Sequence, residues 1–207
     1  MISIKPQFSI TKKIDAAAGT LLIKIRGPRD ANATKWEQLQ GNGYHPELAA
    51  VIARYQRAIN EKSPSGWIPF LQGLLDEPIE VGNKTFLEIG HGGGWYLAQS
   101  IRAGASRVTG IEVSEIANQK SRSALEQFGY SNFELFTATD GNLTPIESHT
   151  IDVGLSLTVF QHVPPALFSE CLTALSRVLS DSGVLTCRHW KMTNGRASGV
   201  RLTMSCP

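Results

Sequence analysis

Lys84-Thr-Phe-Leu-Glu-Ile-Gly-His-Gly-Gly-Gly94 is the stretch whose reading decides the fold. Its first half is an apolar run of the kind that forms a buried strand, and its second half is a glycine turn. Glycine reaches positive φ without steric cost and lets a ligand approach the backbone. A helix starting near Gly93 would aim unpaired N–H groups at whatever lies in the turn. A carboxylate, Glu88, stands just before the first glycine. The stretch therefore predicts a strand, a turn and a helix arranged around a small polar ligand.

Working outward, strand and helix alternate. Trp95 to Ala103 has helical spacing, with Tyr96, Leu97, Ser100 and Ile101 available to pack on a sheet and Gly104 placed to stop it. Arg107 to Val113 is a short apolar run ending in an acid, and Ser114 with Glu115 marks the entry to a helix continuing to about Gly129. Phe133 to Ala138 and Ile151 to Leu157 read as further strands, separated by the turn residues Asp140 to Pro145. Pro164 and Pro165 open a helix through Leu179, Ser182-Gly183 breaks the chain, and Val184 to His189 makes a fifth strand. Such alternation implies right-handed crossovers and an α/β, Rossmann-like, doubly wound and mostly parallel sheet. Ligands on these sheets bind beyond the carboxyl ends of the strands, where the order reverses.

Glu88, Ile89, Gly90, Gly92 and Gly94 together resemble the first motif of the class I S-adenosylmethionine-dependent methyltransferases, an acid, one spacer and Gly-x-Gly-x-Gly. A dinucleotide fingerprint also follows a strand and opens a helix, but it wants a small residue where Trp95 stands and leaves Glu88 unexplained. The resemblance implies S-adenosylmethionine as cofactor and S-adenosylhomocysteine as product. It implies that Glu88 faces the methionine amino group, and that Gly90, Gly92 and Gly94 let the backbone close around the amino acid and ribose. Glu112, 18 residues after Gly94, suits two vicinal ribose hydroxyls. That spacing serves either cofactor. Val113 would pack on the adenine and Asp140 would accept from its amino group, with Gly141 or Asn142 adding a backbone contact; Asp140 can equally be a turn former. In Ser156 to Val163, the segment that related enzymes set beside the transferred methyl, His162 is the candidate base, with a structural role as its alternative. Thr158 and Gln161 are candidates for positioning, and His91 reads as a spacer with its ring turned away. Leu157-Thr-Val-Phe160 lacks the Asn/Asp-Pro-Pro-Tyr/Phe of enzymes that methylate amino groups of bases or glutamine, and the Pro-Cys of cytosine C5 enzymes is missing. A small-molecule methyl acceptor is the expectation. A nicotinamide-dependent oxidoreductase and a non-catalytic cofactor-binding scaffold are the alternatives.

The 207 residues suit one core with an extension, divided into an N-terminal cap over 1–83 and a cofactor-binding core over 84–207. A net charge of +2 implies no polyanionic partner, so nucleic acid is not expected despite Arg188, Lys191, Arg196 and Arg201 in an acid-free tail. Three cysteines without short-spaced partners argue against a disulfide framework and a zinc cluster, so no metal is expected. No apolar run approaches the roughly 18 residues of a membrane span and no leader is visible, so a cytoplasmic protein without membrane contact is expected. The 18 residues after His189 cannot hold the helix and two strands that the family adds, so the core reads as shortened after its fifth strand. Val200 to Met204 could supply one edge strand through Asn194-Gly195. Ile2 to Ile10 and Leu21 to Ile25, or a second copy in a homodimer, would cover the remaining edge. His45 to Glu61 reads as an amphipathic helix, with Leu48, Val51, Ile52, Tyr55 and Ile59 on one side, and Gly66 to Leu75 as another. Trp36, Tyr44, Trp67 and Phe70 could cap a sheet edge or form a lid over the ligand.

Overall fold

The computed structural model describes residues 79–138, 140–193 and 196–205, together with Lys35, Glu37, Gln38, Trp67 and Ile68. Its central sheet contains β3 (Thr85–Ile89), β4 (Arg107–Glu112), β5 (Phe133–Thr137), β6 (Ile151–Leu157), β7 (Leu179–Thr193) and β8 (Arg196–Ser205). The spatial order is β5-β4-β3-β6-β7-β8. Every pairing is parallel except β7 with β8. Helices α1 (Trp95–Arg102), α2 (Glu115–Gln127) and α3 (Pro165–Val178) make the crossovers.

Strand β3 is apolar at its buried positions, Glu88 excepted, because both faces of the sheet are covered. Phe86 packs with Tyr96, Leu97, Ala124 and Leu125 of α1 and α2. Leu87 and Ile89, pointing the other way, pack with Ala174, Leu175 and Val178 of α3. The sheet is thus doubly wound, as the alternating sequence predicts. Local signals set the ends of the helices. The Ser114 hydroxyl caps α2 by accepting from the Ala117 N–H at 3.2 Å, and Gly104 and Gly129, at φ 85° and 75°, follow α1 and α2.

The carboxyl-terminal edge is one long hairpin. Strand β7 is 15 residues long and begins before the break expected at Ser182-Gly183. Its register against β6 jumps from Ile151↔Leu179 to Val153↔Val184, so the break is a bulge inside a strand. A Cβ on Gly183 would lie 2.6 Å from the Ile151 carbonyl oxygen, which explains glycine at the bulge. Strand β8 pairs antiparallel from Thr193↔Arg196 to Val184↔Ser205, so the expected edge strand is present and longer than Val200 to Met204.

Trp67–Ile68 forms a strand, β1, paired antiparallel with β2 (Ile79–Glu80). This corrects the helix expected over Gly66 to Leu75, whose remaining residues lie outside the described part. Lys35, Glu37 and Gln38 are helical. Ile2 to Ile10, Leu21 to Ile25, Trp36, Tyr44, His45 to Glu61, Phe70 and the Asn194-Gly195 connection also lie outside the described residues. Among the described residues no helix is long and apolar enough to cross a membrane.

Candidate functional site

Chain order leaves β3 toward β4 and β5, then crosses back to β6 on the other side, so the reversal lies between β3 and β6. The glycine turn stands at that point. Gly90, Gly92 and Gly94 have φ of 72°, 51° and 71°, a region that other residues enter only under strain. The Gly90 N–H donates to the Ile111 carbonyl at 2.7 Å and the Gly94 N–H to the His91 carbonyl at 2.8 Å, which folds the turn tightly over the start of α1. A Cβ on Gly90 would lie 2.2 Å from Val159 Cγ2, so its bareness also serves a protein contact.

The two acids of the site are in different states. Glu88, on β3, is only 4% exposed, and its Oε2 finds no hydrogen-bond partner among the described residues. Burial and the nearby charge of Glu112 push its carboxyl well above the usual range, against the opposing pull of the Leu97 backbone N–H in the first turn of α1. Glu112, at the end of β4, is satisfied by backbone. Its Oε2 accepts from the Gly92 N–H at 2.9 Å, and its Oε1 from the N–H groups of Val113 at 2.9 Å and Ser114 at 3.2 Å. A carboxylate has about four acceptor sites, so one remains.

Beneath the turn, the His91 ring is buried against α2. Its Nε2 lies 2.7 Å from Asn118 Oδ1, and the Asn118 amide nitrogen donates to Thr137 Oγ1 at 2.5 Å. Thr137 in turn donates to the Glu115 carboxylate. Ser121 Oγ donates to the Gly92 carbonyl at 2.8 Å. The sequence reading missed Asn118 and Ser121. Their signal was a polar stripe, Ser114, Asn118 and Ser121 at helical spacing, lying fully buried beside Ala117 and Ala124.

Residues 87–187 match the methyltransferase-domain family. The core of the chain has the class I methyltransferase fold. Among solved structures it is similar to phosphoethanolamine N-methyltransferase 1 of Haemonchus contortus, crystallised with phosphoethanolamine and S-adenosylhomocysteine; the identity is 16% over 78% of this chain and 32% of that one, with a TM-score of 0.53. It is also similar to an S-adenosylmethionine-dependent methyltransferase of Mesorhizobium loti, at 18% identity over 75% of this chain and 66% of that one, TM-score 0.46. A third similar structure is the [4+2]-cyclase SpnF, at 20% identity over 56% of this chain and 42% of that one, TM-score 0.49. The chain spans less than half the length of the cyclase and of the Haemonchus enzyme. No curated protein sequence matches it. The likeness to the Haemonchus enzyme, at 16% identity, shows the fold alone.

On the rim of the methyltransferase domain, Asp140 is exposed and its Oδ1 accepts from the Asn142 N–H at 3.1 Å, an Asx turn. Gly141 is bare so that α3 can approach: a Cβ would lie 2.8 Å from the Leu167 carbonyl oxygen and 2.9 Å from the Cys171 nitrogen. Val113 is half-buried beside Glu112. After β6, Thr158 has φ 60°, rare for a β-branched residue, and its hydroxyl donates to the Leu157 carbonyl at 2.6 Å. His162 sits half-buried in the 3₁₀ turn Phe160–His162, its pKa lowered by burial first and by the Lys35 charge second. The side chain of Gln161 lies outside the described part. Glu37 accepts a hydrogen bond from Ser114 just after β4, and the Lys35 charge is felt at His162, so residues 35 and 37 lie close to the site. Among the described residues no group of three His, Cys, Asp or Glu could hold a metal.

Proposed function

We propose that this domain binds S-adenosylmethionine and directs methyl transfer to a small-molecule acceptor, releasing S-adenosylhomocysteine. The observation that carries the reading is Glu88. A buried carboxylate oxygen with no donor among the described residues, at the switch point and beside a helix amino terminus, calls for a cationic hydrogen-bond donor, and the α-ammonium of the cofactor is one. The other parts fit the same ligand. Glu112 keeps one acceptor site for a ribose hydroxyl, Val113 would lie under the adenine, and exposed Asp140 retains acceptor capacity for the adenine amino group. Gly141 has less to offer directly, its bareness being used by α3.

When bound, the cofactor supplies a methyl group already activated on a positive sulfonium. The chain's own residues orient the acceptor and, where needed, take its proton. His162 suits the second task because its lowered pKa leaves the ring neutral near pH 7. The absence of Asn-Pro-Pro chemistry from Leu157 to Phe160 supports a small-molecule acceptor over a nucleic-acid base.

Thermal melting with S-adenosylhomocysteine, and separately with NADH, tests the reading. A ligand at about 100 times its Kd adds roughly 2.7 kcal/mol, a shift of several degrees. S-adenosylhomocysteine should produce that shift and NADH should not. The reverse result would return the chain to the oxidoreductases, and binding without turnover on any acceptor would make it a scaffold.

A further inference from the structure

We propose that His91 is a positioning residue for cofactor binding: held from below by Asn118, it fixes the Gly92 peptide so that the Gly92 N–H aims Glu112 at a ribose hydroxyl. The inference rests on the cofactor reading above and names how that site is kept in shape.

Hydrogen-bond directions settle the tautomer. Thr137 gives its proton to Glu115, so its oxygen accepts from the Asn118 amide nitrogen, which leaves Asn118 Oδ1 facing the ring. Nε2 of His91 must then carry the proton and donate. Ser121 spends its own proton on the Gly92 carbonyl while lying 3.4 Å from His91 Nδ1. The peptides flanking Gly92 are thus held by Ser121 at its carbonyl and by Glu112 at its N–H, and the His91 side chain, anchored on Asn118, pins the residue that precedes them.

An independent observation shows that the fold makes room for this ring. Gly110 lies in the middle of β4, where glycine weakens a strand and marks a close approach. A Cβ there would lie 2.7 Å from His91 Cδ2 and equally 2.7 Å from Leu135 Cδ2, so the ring and its leucine neighbour share the bare position. A side chain that merely filled the space between two glycines would need neither a bare position in the next strand nor a buried amide chain reaching to Glu115. The arrangement ends at Glu112, whose rotation it sets through Gly92 and whose single remaining acceptor site it thereby points.

The test measures affinity by titration calorimetry for S-adenosylhomocysteine and for its 2′,3′-dideoxy analogue, using the full chain. Wild type should prefer the ligand with hydroxyls by about tenfold or more, the worth of a hydrogen bond to a charged group. His91→Leu should bring that preference within about twofold of none while leaving affinity for the dideoxy analogue nearly unchanged. His91→Gln, whose amide nitrogen can occupy the place of Nε2, should restore it. Should His91→Leu fail to fold, Asn118→Ala removes the same contact from the other side and should give the same loss. The inference is overturned if either folded variant keeps the preference, if both ligands weaken alike, or if wild type binds S-adenosylhomocysteine without regard to the hydroxyls. Wild type that binds neither ligand would overturn the cofactor reading and this inference with it.

Discussion

Replacing Glu88 by glutamine should move stability and binding in opposite directions. Without ligand the wild-type carboxyl is raised well above its usual range, by burial first and by the Glu112 charge second. A group whose folded pKa lies above its unfolded value of about 4.3 contributes full stability below that value and loses it as pH rises through the folded one. The ligand-free melting temperature of wild type should therefore fall with rising pH across that window. Glu88→Gln should flatten the fall. The variant still buries a polar atom without a partner, so only the charge is relieved, and about 1 kcal/mol at pH 8 is the expected gain, or ~2–4 °C for a chain of this size. Ligand affinity should move the other way, because the variant gives up a charge-assisted hydrogen bond of ~1.5–3 kcal/mol, roughly 10- to 100-fold in Kd for S-adenosylhomocysteine. In wild type that affinity should rise with pH through the same window, since the ligand's ammonium selects the ionised carboxylate. Melting curves from about pH 5 to about pH 9, with and without ligand, contain both readouts. A glutamine variant that is less stable at pH 8 and binds as tightly as wild type would refute the assignment of Glu88 as a group waiting for a cation.

Further substitutions probe two other positions of the site and Arg177, in the last turn of α3. Gly90→Ala places a Cβ 2.2 Å from Val159 Cγ2 at a φ of 72°; urea unfolding should show a loss of about 2–4 kcal/mol, and Val159→Ala should recover the part due to the clash. Arg177→Ala removes the donors to the carbonyls of Ile146 at 2.8 Å, Leu143 at 2.9 Å and Asn142 at 3.1 Å; the same assay should register about 1–3 kcal/mol, with β5 and β6 intact by circular dichroism. His162→Ala should leave cofactor affinity unchanged and lower turnover. Because burial and the Lys35 charge depress this histidine, the acid limb of the wild-type kcat/KM profile should fall below the ordinary value of about 6.5. Equal turnover in the alanine variant would leave His162 a structural residue.

The fold was legible because two physical signals repeat along the core: apolar runs of strand length, and glycine or capping residues between them. Ile151–Leu157 and Arg107–Glu112 fall within a residue of their expected bounds. The length of β7 was not legible, because Ser182-Gly183 carries an ordinary turn signal and only pairing with Ile151 and Val153 turns it into a bulge. Trp67–Ile68 misled for a related reason, a two-residue strand being too short for any period and existing only through its partner Ile79–Glu80. At the site, acid identity and order could be read, and hydrogen-bond state could not. Nothing local distinguishes Glu88 from Glu112, since the difference is made by N–H groups of Gly92, Val113 and Ser114 arriving from two parts of the chain. Arg177 escaped notice because its partners are backbone carbonyls, which every sequence has.

Glycine in this chain therefore carries two meanings that a motif does not separate. Gly90, Gly110 and Gly141 are bare because Val159, His91 with Leu135, and α3 occupy the space a Cβ would take. Their substitution should harm folding first. On the proposed reading, the ligand-facing chemistry then concentrates on fewer atoms than the motif suggests: the last acceptor site of Glu112 and the Glu88 oxygen that has no partner among the described residues. Glu112 is already ordered by three backbone donors and costs little further entropy on binding, whereas Glu88 is held at an electrostatic disadvantage that a cation relieves. Pre-organisation at one acid and stored strain at the other are distinct ways of favouring the same ligand, and only the second makes the empty protein less stable than it could be.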